Sequence, residues 1–118
     1  MLNARGWYGK MAVCLVAVVA TVSVSRSNAA DVTVWGSGTT RCSEWINDRK
    51  KPSGDLLRTQ GQAWVLGYLS GWTVLANVDY LKKADPDTIF QAMDQQCQAK
   101  PSQLIAEAVA VLARALRN

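Results

Sequence analysis

Histidine is absent from all 118 residues. Ser-His-Asp and Cys-His mechanisms and imidazole metal sites are thereby excluded. A phosphate-cradling loop is also missing, because Gly36-Ser-Gly38 is not followed by Gly-Lys-Ser or Gly-Lys-Thr. Cysteine is scarce: Cys14, Cys42 and Cys97, with no C-x-x-C spacing. That count points away from a thioredoxin-type redox pair and from a thiolate metal cage. No acidic residue occurs before Asp31, and no charge of either sign between Thr59 and Val78.

The acid-free opening has the three parts of a secretory signal peptide. Arg5 and Lys10 form a basic flank, residues 11–24 are an uncharged apolar core, and Ser27-Asn28-Ala29-Ala30 is a small-residue exit. The core of about 14 residues is short for a membrane span. Cleavage is expected after Ala29, so residues 1–29 are a removed leader; an uncleaved anchor is the rival reading. A lipoprotein acylated at Cys14 is rejected, because Val13 is too bulky before that cysteine and the apolar core follows it.

Removing the leader changes the electrostatics. Of 13 basic residues, Arg5, Lys10 and Arg26 leave, while all 9 acidic residues stay, so the mature balance is 10 against 9. The basic balance of the whole chain therefore gives no argument for a nucleic-acid partner, which needs a clustered positive surface. Arg49-Lys50-Lys51 and Lys82-Lys83 read as solvated helix ends or loops rather than as an anion site.

A mature chain of about 89 residues makes one domain near the lower size limit for a single hydrophobic core. Exported to an oxidising compartment, Cys42 and Cys97 have only each other to pair with. Their disulfide would close a loop of 55 residues. The chain-entropy model assigns such a loop roughly 4 kcal/mol, comparable to the net stability of a small domain.

The expected fold is all-α: a small four-helix bundle around a central apolar helix, stapled by one disulfide. Residues 30–38 form a flexible or extended arm, and 39–118 a single helical domain. Asp31-Val-Thr-Val-Trp35 alternates before Gly36-Ser-Gly38 breaks the pattern. Thr39 or Thr40 is the expected cap of a first helix running to Lys50. The second helix, 55–77, is apolar around most of its circumference and is read as the surrounded, central one. Gly67 and Gly71, one turn apart beside Tyr68, are its expected close-packing positions. A membrane span is the competing reading of that Gly-x-x-x-Gly. Gln60, Gln62, Ser70, Thr73 and Asn77 dilute the run, and no basic flank marks an inside end. Asp85-Pro86 starts a third helix, 86–98, burying Ile89, Phe90, Met93 and Cys97. Pro101 is expected to start the fourth, with Leu104, Ile105, Ala108, Val111, Leu112, Ala115 and Leu116 on its apolar face.

Only Glu44 and Asp48, one turn apart, approach a catalytic carboxylate pair. With Arg41, Arg49 and Lys51 beside them, they read better as a charged helix face. No cofactor or metal is indicated. Tryptophan is plentiful, whereas phenylalanine occurs once, at Phe90. Trp64 and Tyr68 are assigned to the core. Four mature tryptophans exceed what so small a domain buries, so Trp35, Trp45, Trp72 and Tyr80 are the candidates for a partner-binding surface.

Three segments together resemble a known group: Cys42-Ser-Glu-Trp45, Trp64-Val-Leu-Gly-Tyr-Leu-Ser-Gly71, and Cys97-Gln-Ala-Lys-Pro101 before a final amphipathic helix. They resemble small exported proteobacterial proteins of HdeA-like helical fold, above all the Rap/Tai immunity group. There a Gly-Tyr-Ile-x-Gly helix packs between two disulfide-linked segments. The resemblance spans 38–116 and implies a periplasmic, dimeric, non-enzymatic protein. Some members neutralise cell-wall amidase toxins delivered by type VI secretion; HdeA-type relatives are acid-activated chaperones. This chain departs from the chaperones in its long charge-free second helix. It departs from the immunity proteins in lacking an acidic loop to plug a basic toxin.

The leading expectation is a periplasmic (or secreted) protein-binding factor of the immunity type that occludes a cell-wall toxin. An acid-stress chaperone is the alternative, supported by a mature charge that rises to about +10 when carboxylates protonate. A small cell-wall enzyme using Glu44 and Asp48 is the third. Intact mass of the exported protein under non-reducing conditions checks the covalent expectations: a chain starting at Ala30, two hydrogens lighter than its reduced form.

Overall fold

Each described α-helix begins at a carboxylate. The computed structural model describes residues 32–118; the expected leader, residues 1–29, and the first residues of the expected arm lie outside them. Four helices follow in order: α1 (Cys42–Arg49), α2 (Leu56–Ala76), α3 (Pro86–Ala99) and α4 (Ile105–Leu116). Asp55 caps α2 by accepting from the Arg58 N–H at 3.1 Å, and Asp85 caps α3 by accepting from the Thr88 N–H at 2.9 Å. In α1 and α4 the acid sits three residues in and reaches back. Glu44 accepts from the Arg41 N–H at 3.0 Å, and Glu107 from the Leu104 N–H at 2.9 Å.

The domain is all-α, with no strand among the described residues, and Cys42 and Cys97 form its disulfide. Both cysteines are fully buried. The bond ties the first residue of α1 to the last turn of α3, and backbone bonds close the same junction. First-turn N–H groups of a helix have no partner within it. Here Cys42 N–H donates to the Gln103 carbonyl at 2.7 Å and Ser43 N–H to that of Pro101 at 2.9 Å. Ile105 N–H returns a bond to the Thr40 carbonyl at 2.9 Å.

That junction explains two boundary corrections. Pro101 does not begin α4, because the 101–103 turn gives its carbonyls to Arg41, Cys42 and Ser43 at the start of α1 and the helix starts at Ile105. Neither Thr39 nor Thr40 caps α1: their hydroxyls donate to Gly36 and Ser37 carbonyls instead. Those bonds close a 3-10 turn, Gly36–Thr39, where an extended or flexible arm was expected. Gly36 adopts φ 76°, left-handed backbone that favours glycine. Gly38 is buried flat against the Trp64 indole, with no room for a Cβ.

The core is built from α1, α3, α4 and one face of α2. Trp45, Met93, Cys97, Ile105 and Val109 are buried together with Val65 and Leu69. The α3 face is the expected one, Ile89, Phe90, Met93 and Cys97. The α4 face is rotated relative to expectation: Val109 and Ala113 are buried, Val111 is half-buried and Ala115 is exposed.

The reading of α2 as a surrounded helix is overturned. It buries only Gly61, Val65 and Leu69, one residue per turn. Val74 is 77% exposed and Leu75 89%. Gly67 and Gly71 are exposed, and a Cβ on either would meet nothing within 4 Å, so none of the described elements packs there. Three short partners cannot enclose a 21-residue helix. Its outer Gly, Ala and Ser residues are uncharged because of what they are, not because they are covered. None of the described helices is long and apolar enough to cross a membrane.

The glycines give a paired prediction. Gly38→Ala forces the arm off Trp64 and costs about 1–3 kcal/mol. Gly67→Ala stabilises the monomer by up to about 1 kcal/mol through helix propensity. Thermal unfolding of the oxidised protein at low concentration reads both signs.

Candidate functional site

The polar centre of the molecule is Asp94, on the face of α3 turned to α1. Its carboxylate accepts from the Trp45 indole N–H at 2.8 Å and from Arg49 Nε at 2.9 Å, with Arg49 Nη2 on the other oxygen at 3.0 Å. The Arg49 guanidinium also lies 5.6 Å from the Phe90 ring centroid. A forked arginine contact combined with an indole donor defines one orientation of α1 on α3. This arrangement is structural: the Trp45 Nε1, Arg49 Nε and Arg49 Nη2 donors all end on Asp94, and Trp45 is 2% exposed. Trp45 is therefore removed from the partner-binding candidates, because its ring is core and its nitrogen is occupied.

The remaining aromatic candidates separate. Trp35 is 81% exposed. Its backbone is nonetheless held, because its carbonyl accepts from Trp64 Nε1 at 2.9 Å and the next four residues form the 3-10 turn. Trp64 and Tyr68 are half-buried and stack with centroids 5.6 Å apart. Trp72 is half-buried against the core, and Tyr80 is half-buried in the turn after α2. Gly67 and Gly71 lie on an open side of α2 rather than in a helix-packing seam among the described elements, whereas Tyr68 packs against the core.

Glu44 and Asp48 do not converge on one cavity. Glu44 is engaged as the α1 cap, and Asp48 accepts from Lys51 Nζ at 2.7 Å. That hydrogen bond and the nearby charge of Asp48 raise the Lys51 amine above its ordinary value. Asp48 lines a cleft of about 130 Å³ between the arm, α1 and α2, floored by Trp45, Gly61 and Ile105 and rimmed by Arg49, Arg58 and Leu57. The cleft is the size of a single side chain. Arg58, which might otherwise reach into it, donates to the Lys51 carbonyl at 2.6 Å. A second hollow of about 180 Å³, nearly all apolar, lies between α3 and α4 among Ala84, Ile89, Ala92, Leu112 and Leu116.

Sequence reasoning missed Asp94. A lone aspartate amid glutamines carries no signal of its own, and only the i, i+4 pair Trp45 and Arg49 facing α3 would have hinted at an acceptor there. The held backbone of Trp35 was equally hidden, because it depends on Trp64, 29 positions away.

Asp94→Ala leaves the Trp45 nitrogen and the Arg49 guanidinium without their shared acceptor. We expect a loss of about 2 kcal/mol. Arg49→Lys, which keeps the charge and loses the fork, should cost less. Urea unfolding followed by tryptophan fluorescence measures both.

In comparisons with known proteins, no protein-family model, no curated protein and no solved structure matches this chain.

Proposed function

We propose that the protein is an exported, non-enzymatic binding protein that acts in the periplasm by occluding another protein, in the manner of an immunity factor against a cell-wall toxin. The observation that carries this reading is Trp35. A large aromatic side chain stands in solvent on a backbone that is already fixed by the Trp64 hydrogen bond and the 3-10 turn. An anchor held in this way loses little conformational freedom on binding, the economy that distinguishes hot-spot tryptophans from mobile surface residues. Val32, 76% exposed, extends the same apolar stretch. The disulfide fits an oxidising compartment. The immunity role in particular comes from the sequence resemblance. It is tested by capture from periplasm: the wild-type protein should retain a hydrolase-type partner, and Trp35→Ala should lose it with unchanged melting temperature. Equal capture by Trp35→Ala refutes the anchor.

An acid-stress chaperone is favoured by a different observation: all four helices start on a carboxylate. A protonated carboxyl is a poorer acceptor and loses its attraction to the helix dipole. For Asp85 the sign is defined. The Thr88 backbone N–H, then the Thr88 hydroxyl, hold it below the ordinary carboxylate value. Its stabilisation is thus complete above the unfolded value, about 4, and is lost as pH falls through the lower folded value. Circular dichroism on acidification should show helix loss below about pH 4, and Asp85→Asn, a cap that does not titrate, should reduce that loss. An acid-loosened protein that fails to suppress client aggregation rejects the chaperone and leaves the binding reading standing.

A further inference from the structure

The hollow between α3 and α4 is walled almost wholly by hydrocarbon, and small residues keep it open. Ile89, 4% exposed, with half-buried Leu112 and Leu116, are its large side chains, whereas Ala84, Ala92 and Ala115 leave the space of about 180 Å³. The one polar side chain among its described lining is Thr88, whose hydroxyl already donates to Asp85 at 2.8 Å. Protein interiors close-pack, so an apolar trough left to water is one that a hydrocarbon ligand gains by filling.

Ala84, Ala115 and Leu116 also line a second, wider hollow of about 430 Å³, whose other walls are Asp79, Tyr80, Lys82 and Lys83. One apolar trough thus opens into a basic mouth. The lysines are held there: Leu81 and Ala84 pack against the core, and the Ala84 N–H donates to the Leu81 carbonyl at 3.0 Å, closing a turn with Lys82 and Lys83 at its two central positions. Both lysines are exposed, and neither forms an ion pair among the described residues. Asp79 lines the same mouth and offsets one of the two charges; Asp85 is turned to the Thr88 N–H and hydroxyl. The mouth keeps a net positive charge.

We propose that this trough binds a single-chain anionic amphiphile of the fatty-acid class, its hydrocarbon end between α3 and α4 and its carboxylate at Lys82 and Lys83. Size selects one chain. A cavity of about 150 Å³ takes a single benzene ring, so the α3–α4 hollow holds the end of one chain and not two. Together the two hollows fall within the roughly 300–1,000 Å³ of ordinary small-ligand sites. Charge selects the head, because the unpaired ammonium groups favour an anion over a neutral or cationic group on the same chain. The Tyr80 phenol, half-buried in the mouth, adds a hydroxyl that donates to a carboxylate. Tyr80 and the Lys82-Lys83 pair, which read in the sequence as a surface aromatic and as solvated charges, thereby share one role. The site contains no residue of the arm and is independent of the Trp35 partner reading.

The test uses the oxidised protein isolated after export. Calorimetric titration with octanoate and decanoate, below their micellar range, should show one saturable site per chain that tightens by up to about fourfold for each added methylene. Decanoate should bind several-fold tighter than decanol or decyltrimethylammonium. The double variant Lys82→Glu, Lys83→Glu should remove that preference and leave decanol binding unchanged. Ala115→Phe, placed where the two hollows meet, should weaken decanoate at least tenfold. Ala115 is exposed, so α4 accepts the larger side chain, and circular dichroism verifies it. The proposal is overturned by the absence of saturable decanoate binding, by the three head groups binding alike, or by Ala115→Phe binding decanoate as wild type does. A protein that takes up no decanoate but floats with vesicles of anionic phospholipid would assign this face to a bilayer surface and overturn the proposal equally.

Discussion

The Cys42–Cys97 bond is the constraint on which the rest of this small domain depends. It joins the first residue of α1 to the last turn of α3, and α1 has only eight residues. A helix that short is marginal by itself. It persists here because its start is fastened twice, by the disulfide and by the two N–H bonds into the 101–103 turn, while its far end is fastened through Trp45 and Arg49 to Asp94. With both ends tied to α3 and its flanking turn, α1 becomes a fixed wall. The core residues Met93, Ile105 and Val109 then pack against a surface that does not move.

Fixing α1, α3 and α4 to one another leaves α2 as the element with surface to spare. It docks on the others by Gly61, Val65 and Leu69 and holds the arm through Trp64, yet keeps an uncharged outer side. The proposed partner interaction uses Trp35, carried by the arm that Trp64 holds, while the Gly67 and Gly71 side of α2 stays open. An interaction of that kind requires no chemistry at a reacting group.

The fold was legible where a local signal coincided with a long-range need. Asp85-Pro86 announces a helix start, the spacing of Ile89, Phe90, Met93 and Cys97 gives the buried side of α3, and two cysteines in a mature chain leave one pairing. The errors arose where local and tertiary demands diverged. Thr39 and Thr40 look like caps, but a nearby turn needed their hydroxyls and the carbonyl-rich 101–103 turn made them unnecessary. The charge-free run of α2 looks buried because hydropathy counts glycine, alanine and valine as interior, whereas exposure depends on how much surface three short neighbours can offer. Trp45 looked like a surface surplus because nothing near it in sequence reveals Asp94. Candidate surface residues were readable as a set of aromatics; which of them faces solvent was a property of packing alone.

The central claim is that the disulfide supplies the greater part of what keeps α1 and α3 together. Urea unfolding of the oxidised protein against the same protein reduced and alkylated tests it directly. The account predicts a loss of roughly 4 kcal/mol on reduction, the value expected for closing a 55-residue loop, with α1 released first, seen as Trp45 fluorescence moving toward that of a solvated indole. Coincident unfolding curves for the two forms, with Trp45 still buried after reduction, would contradict it.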